Sequence, residues 1–392
     1  MQYFSGRDYI FMDVAGNFGL DKELFETRIK WTEDNLDNLE SLMDQADDPI
    51  MYIKSVMALR EAQQGIPSGH LVSFDACSSG MQIMGALMNC EDTCNMTGLI
   101  DPNRRADAYT DGTKAMGELL GTSVNVPRAD VKQAMMTFFY GSKMKPIELF
   151  GEDTPELKAF YQMLEMKAPL ACELMRIMLA SWQPFAQMHS WTAPDGFEVK
   201  CPVMVPVDVR VEVDELDHAT FTHRFYENEG TEKGLANAAN IVHSCDGTLV
   251  REMNRRCNYD LNQVNKAIKL LKAHKIMPDN DYGFVSINMI DPLLDDPDFI
   301  YTRSIKELSK LLDVLMSMTM YKPFPVICIH DAFRCHANNM NHVRYWYKEM
   351  LADFADSNIM ETMLAEIYGH PVHIHKGSPI SHKIRNSNYA LA

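Results

Sequence analysis

Several features are missing from this chain of 392 residues, and each absence excludes a class of protein. No apolar run reaches the roughly eighteen residues that a membrane-crossing helix needs. The N-terminus, MQYFSGRDY, lacks the basic-then-apolar pattern of a secretion signal. The nine cysteines are odd in number and irregular in spacing, so a disulfide scaffold is excluded and reduced thiols in a cytoplasm are expected. There is no internal repeat, no low-complexity tract and no Pro/Gly/Ser linker, which favours one interwoven unit. Basic charge is scarce: 37 Lys and Arg face 54 Asp and Glu, a net charge of −17. A nucleic-acid coat protein would be basic. An enzyme with its cations gathered at one site is not excluded, and abundant carboxylates suit a magnesium site.

What is present is a globular composition, 46% hydrophobic and 23% charged. Residues 32–45 predict a helix capped by Thr32, with Leu36, Leu39 and Met43 on one face. Residues 70–75, HLVSFD, predict a short buried strand, and a helix is expected through SSGMQIMGALM. Helices are also expected at 128–143, 155–180 and 303–319. Alternation in VDVRVEVDE predicts β-hairpins across 190–235. Residues 325–330, PVICIH, form a second short strand running into Asp331. From His370 on there is no Asp or Glu. The fold class expected is α+β, mostly helical, with two short strands that each end in an aspartate.

Asp75 and Asp331 are the first candidates for chemistry. A carboxylate at the end of a buried strand is held rigidly and partly desolvated, as a ligand of a hard ion such as Mg²⁺ must be. Two of them side by side could hold two ions about 3.5–4 Å apart, the arrangement that assists in-line phosphoryl displacement. Either aspartate alone reads more simply as a turn former or helix cap. The segment RADVKQAMMTFFYGSK, 128–143, adds weight. On a helix Arg128, Lys132, Met136 and Tyr140 recur every four residues along one face. Two cations one turn apart can grip a polyphosphate, and the tyrosine would meet the base and sugar of the same nucleotide. Gly141 and Ser142 end the helix or allow close backbone approach. Most helical charges, by contrast, are simply solvated.

Here the motifs resemble a known family. Arg128-x-x-x-Lys132-x-x-x-Met136-Thr137-x-x-Tyr140-Gly141-Ser142 resembles motif B of the single-subunit phage and mitochondrial (T-seven-like) DNA-dependent RNA polymerases. Asp75-x-x-x-Ser79-Gly80-x-Gln82 resembles motif A, and His330-Asp331-Ala332-Phe333 resembles motif C, in the family's order. Phe4-Ser5-Gly6-Arg7 resembles the Gly-Arg element that lies near the RNA–DNA hybrid. Phe25-x-x-Arg28-Ile29-Lys30, Trp191-Thr192-x-Pro194-Asp195-Gly196-Phe197 and Val242-His243-Ser244-x-Asp246-Gly247 also match, as does the terminal Tyr389-Ala390-Leu391-Ala392.

The resemblance implies a right-hand polymerase: palm in 1–104, fingers in 105–285 with a specificity-type hairpin near 198–235, and palm with a C-terminal tail in 286–392. Asp75, Asp331 and the carbonyl of Ala76 would bind two Mg²⁺ ions. Arg128 and Lys132 would bind the triphosphate, with Lys132 as general acid toward pyrophosphate. Tyr140 would pack at the sugar and base, with His243 helping it sense the ribose 2′-hydroxyl. Gly80 stands where related DNA polymerases carry a glutamate that blocks this hydroxyl, so ribonucleotides are expected. Arg7 and Gly141 would meet nucleic acid. The family protein is about twice as long, so the resemblance further implies the C-terminal catalytic subunit of a split enzyme, as in N-four-like podophages. Such an enzyme would lack the N-terminal domain and thumb, and would pair with a smaller N-terminal subunit. DNA template, RNA product, nucleoside triphosphates and a host-cell cytoplasm follow. There is also a place for a DNA-opening or single-strand-binding accessory protein.

Two other readings remain beside it. His330-Asp331 could be the dyad of an HD-type metal phosphohydrolase, or the chain could be a non-catalytic transcription scaffold. His370, His373 and His375, with His382 nearby, offer a zinc set without cysteines, and read more simply as solvated histidines. Cys90 and Cys94 read as buried thiols of a core helix.

Overall fold

The computed structural model describes residues 1–121 and 126–392. It is mostly helical, with three small antiparallel sheets. The seven strands are β1 (Val72–Asp75), β2 (Met188–Thr192), β3 (Glu198–Pro202), β4 (Met204–Val213), β5 (Ala219–Asn228), β6 (Ile327–Ile329) and β7 (Ala332–Cys335). One hydrophobic core runs from Tyr9 to Ala392, with no buried residue taken from the β4–β5 hairpin. A smaller cluster of Phe11, Val14, Leu39, Tyr52, Val56 and Leu59 sits beneath the first helices. No helix among the described residues is long and apolar enough to cross a membrane.

The central sheet has the order β1-β7-β6, so the two predicted strands lie in one sheet with β7 between them. Asp75 pairs with Ala332, Phe74 with Phe333 and Val72 with Cys335. Alternation along a strand then sorts the side chains. Val72, Phe74, Phe333 and Cys335 are buried against helices. Ser73, Asp75, Ala332 and Arg334 face the other way.

The C-terminal tail holds the free side of β1. Ala76 bridges Leu391, the Asp75 N–H donates to the Ala392 carbonyl at 3.4 Å, and the Ala392 N–H returns to the Asp75 carbonyl at 3.0 Å. Buried Gln82 ties the tail down by donating to the carbonyls of Ala390 (3.0 Å) and Thr97 (2.9 Å), and its own oxygen accepts from the Tyr347 hydroxyl at 2.7 Å. Tyr389 stacks on Phe25 at 4.5 Å. Each such buried aromatic contributes about 1.5–3 kcal/mol of apolar burial.

Three helix expectations need correction. Thr32 does not cap a helix over 32–45: it lies inside Phe25–Asp34, its hydroxyl donating to the Phe11 carbonyl at 2.9 Å. The Asn35 amide donates to the Trp31 carbonyl, competing with the backbone ladder, and only a 3-10 segment, Leu39–Gln45, follows. The stretch 155–180 breaks into Pro155–Lys167 and Pro169–Ala180, because Pro169 has no N–H to continue the first helix. The helix expected to 143 ends at Phe138. Gly141, at φ 88°, takes the left-handed cap position, and the Ser142 N–H closes on the Thr137 carbonyl at 3.0 Å. The β-rich region is two hairpins, β2–β3 and the longer β4–β5, so residues 198–202 belong to a different hairpin from 204–228.

Candidate active site

β6 and β7 are joined by the two-residue turn His330-Asp331. A turn this tight needs a positive φ at its first position, and His330 supplies it at 54°. A non-glycine residue held there costs about 1–2 kcal/mol. The strain aims both side chains off the end of the sheet, beside Asp75. The Ala76 N–H donates to the Asp331 carbonyl at 3.2 Å and to Asp75 Oδ1 at 2.9 Å, so one residue locks the two aspartates together. Both line one cavity of about 680 Å³, with Lys132, Tyr140, His243 and Gly80.

The carboxylates are electrostatically uncomfortable. Burial raises the Asp75 pKa above its ordinary value, and the neighbouring Asp331 raises it further. His330 answers part of this charge: Nδ1 lies 2.9 Å from Asp331 Oδ1, and Nε2 lies 3.3 Å from Asp246 Oδ2. The hydrogen bond to Asp331 raises the His330 pKa. Asp246 is buried, and desolvation pushes it up to about 6 despite His330. It also accepts from the Ser79 hydroxyl at 3.4 Å. The donor set at the tip of the sheet is hard oxygen with excess negative charge, which fits a divalent cation such as Mg²⁺. The Ala76 carbonyl, the third expected ligand, already accepts from the Ser78 N–H at 3.0 Å, which leaves it one free lone pair.

Across the cavity stands the helix Arg128–Phe138. Lys132 Nζ lies 5.5 Å from the centre of the Tyr109 ring and the Arg128 guanidinium 5.6 Å from it, so one aromatic ring meets both cations. Arg128 is already engaged, with Nη2 2.7 Å and Nε 3.1 Å from Asp107 Oδ2. Asp107 also caps the helix Ala108–Leu120, accepting from the N–H groups of Tyr109 and Thr110. Tyr140, beyond the end of its helix, still reaches the cavity. Its ring stacks on His243 at 4.6 Å and 10°, and burial pushes its hydroxyl up to about 12. His243 is exposed rather than a core histidine, with its pKa lowered first by partial burial and then by His330. A Cβ on Gly80 would stand 3.0 Å from the Tyr140 hydroxyl and 3.3 Å from Cζ. Gly80 therefore admits the tyrosine ring.

The expected residues Asp75, Ala76, Gly80, Arg128, Lys132, Tyr140, His243 and Asp331 thus meet at one place. Gly141 lies just behind them as the helix cap. Arg7 does not join them: it lines a second cavity with His70 and His336, its guanidinium 4.6 Å over the Phe11 ring. Three contributors were missed. Asp107 and Arg105 line the cavity, but Asp107 carried only a helix-cap signal and Arg105 none. Asp246 was visible only as one letter of its motif. The histidine-rich tail gathers no metal set among the described residues: His373 pairs with Glu361 at 2.9 Å and His370 stacks on Tyr368. Cys90 and Cys94 are buried free thiols, Cys90 at the start of a short helix and Cys94 within it.

Parts of the chain match known proteins. Residues 4–150 match the family model for DNA-dependent RNA polymerase. A DNA-directed RNA polymerase of Pseudomonas phage phiKMV is 23% identical over 303 residues, covering 62% of this chain and 37% of that protein. A probable DNA-directed RNA polymerase of Neurospora crassa is 28% identical over 157 residues, covering 34% of this chain and 17% of that protein. Over these stretches the chain is similar to DNA-dependent RNA polymerases of phage and fungal origin. It spans little more than a third of the length of the phage relative.

Proposed function

We propose that this chain is the catalytic part of a phage-type DNA-dependent RNA polymerase. The observation that carries the reading is the convergence of Asp75 and Asp331 at the tip of one sheet, facing Lys132 and Tyr140 across a single cavity. On this reading the β1-β7-β6 sheet and its helices are the palm, the Arg128–Phe138 helix belongs to the fingers, and the β4–β5 hairpin reaches toward promoter DNA. A smaller subunit is the partner proposed for this chain.

Asp75 and Asp331, with the Ala76 carbonyl, would hold two Mg²⁺ ions. Bound there, the ions would withdraw charge from the reacting phosphate and lower the pKa of the attacking hydroxyl. The RNA 3′-hydroxyl attacks the α-phosphorus of the incoming nucleoside triphosphate, and the bond to pyrophosphate breaks. Arg128 and Lys132 bind the triphosphate. Arg128 must exchange Asp107 for a phosphate, and the rigid fork it already presents is suited to that. Lys132 protonates the departing pyrophosphate, a role worth about 10²–10⁴ in rate. Tyr140, backed by Gly80 and stacked on His243, forms the wall against the sugar, where the tyrosine hydroxyl and imidazole read the 2′-hydroxyl. His330 orients Asp331 from its strained turn.

The test is co-expression of this chain with its neighbouring reading frame, followed by RNA synthesis from a single-stranded template. Mg²⁺-dependent RNA synthesis that requires both chains is expected. Full activity from this chain alone would refute the split enzyme. Hydrolysis of nucleotides to monophosphates without RNA would favour the phosphohydrolase reading. A stability unmoved by Mg²⁺ and nucleotide would favour the scaffold.

A further inference from the structure

The face of the central sheet that carries Asp75 is uncovered. Its first row is Asp75, Ala332 and Ile329, and its second row is Ser73, Arg334 and Ile327, as the strand register requires. Ile327 is 48% exposed and Ile329 50%, an unusual pair of open isoleucines beside a charged centre. Arg334 is half-buried between them and Ser73. Its Nε donates to the Ser73 hydroxyl at 3.3 Å, and among the described residues it has no carboxylate partner. Arg28, Arg105 and Arg344 also lack one, but each donates to backbone carbonyls, whereas Arg334 is the cation of this sheet face. The second row lies two strand residues from the first, about 6.7 Å. That is roughly two base steps along a nucleic-acid helix.

We propose that this face seats the end of the product RNA strand, with Arg334 binding the backbone phosphate one or two nucleotides behind the 3′ end. The inference rests on the polymerase reading of the same site and adds to it a residue and a direction. The isoleucines offer apolar surface to the riboses, and the guanidinium supplies the one positive charge the face needs. Ser73 fixes the guanidinium in place. The strand then continues past β7 toward the cavity shared by His336 and Arg7. Neither isoleucine nor Arg334 touches the incoming nucleotide, so Arg334 is a positioning residue.

The test measures binding of a preassembled RNA–DNA scaffold by fluorescence anisotropy over a range of salt, using enzyme purified after co-expression with its neighbouring reading frame. Arg334→Ala should weaken scaffold binding about tenfold, as expected for one lost charge-assisted contact. It should also reduce the salt slope by about one. Arg334→Lys should recover most of the loss, and Ser73→Ala, which frees the guanidinium but keeps its charge, should weaken binding less than Arg334→Ala and leave the salt slope as it is. A thiouridine placed one or two nucleotides behind the 3′ end should photocrosslink to the β7 segment. Wild-type affinity and slope in Arg334→Ala, or a crosslink to β7 from the template strand instead, would overturn the proposal. A loss that Arg334→Lys shares in full, with the salt slope unchanged, would mark a structural role and overturn it as well. Failure of the polymerase reading looks different: a wild-type enzyme that binds the scaffold but never extends its RNA.

Discussion

Two groups of acid in this molecule are built on opposite plans, one sealed in the interior and one open to a cavity. Asp195, in the turn between β2 and β3, has a fully buried side chain held by two arginines. Arg251 meets it at 2.6 Å and Arg255 at 2.8 Å. Burial alone would raise its pKa, but the two guanidinium hydrogen bonds outweigh that and bring it down to about 2. Glu252 extends the network to Arg256 and to the Ser286 hydroxyl. Asp75 and Asp331 have no such answer: each faces the other carboxylate, a single imidazole serves Asp331, and the Asp75 pKa moves up. A neutralised aspartate fixes the β2–β3 turn to the helix Ala236–Cys257. An unneutralised pair stores charge that a cation can answer, which is the basis of the role proposed for it.

That contrast can be broken at either end. Asp331→Asn should leave the fold at least as stable, since it relieves repulsion, yet lower extension of a primed RNA–DNA scaffold by about 10³-fold or more, a barrier increase of about 4 kcal/mol. Single-turnover extension kinetics and a thermal melt of the same preparation check both halves. Asp195→Asn should do the reverse. It strands two arginines and should cost about 3–5 kcal/mol by urea unfolding.

The same aspartate predicts an acid limb. Its folded pKa lies below its unfolded one, so its stabilisation is complete above about 3.8 and is lost as pH falls toward about 2. The full effect is about 2 kcal/mol, and it should disappear from the pH dependence of unfolding in Asp195→Asn. Smaller again is Gly80→Ala. The added methyl should displace the Tyr140 hydroxyl and cut ribonucleotide incorporation about tenfold. Thermal stability should stay nearly level, because the helix gains about 1 kcal/mol from losing a glycine. Steady-state incorporation of ribo- against deoxynucleotides reads this directly.

Much of the site was legible in the sequence because its parts are local. A strand that ends in an aspartate can be read from Val72 to Asp75, and the Arg128–Lys132–Tyr140 spacing survives even though the helix stops at Phe138. The partners were not legible, because they depend on tertiary approach. Nothing near Asp107 in the sequence tells that its carboxylate holds Arg128, and nothing near Asp246 tells that it backs His330. The tail illustrates the same limit. Tyr389–Ala392 was recognised as a block, but its pairing with Asp75 and Ala76 is a contact across the whole length of the chain. The helix boundaries failed for simpler reasons, at Pro169, at Gly141 and at the asparagines after Asp34, where local hydrogen bonding outweighs an apolar stripe.

The most direct measurement is binding of Mn²⁺, as a spectroscopic substitute for Mg²⁺, followed by electron paramagnetic resonance in the presence of nucleotide. The wild-type enzyme should bind the ion, and Asp75→Asn and Asp331→Asn should each weaken it strongly, while Asp195→Asn that remains folded should bind as the wild type does. Unchanged Mn²⁺ binding in both Asp75→Asn and Asp331→Asn would contradict the shared cation site on which the account stands.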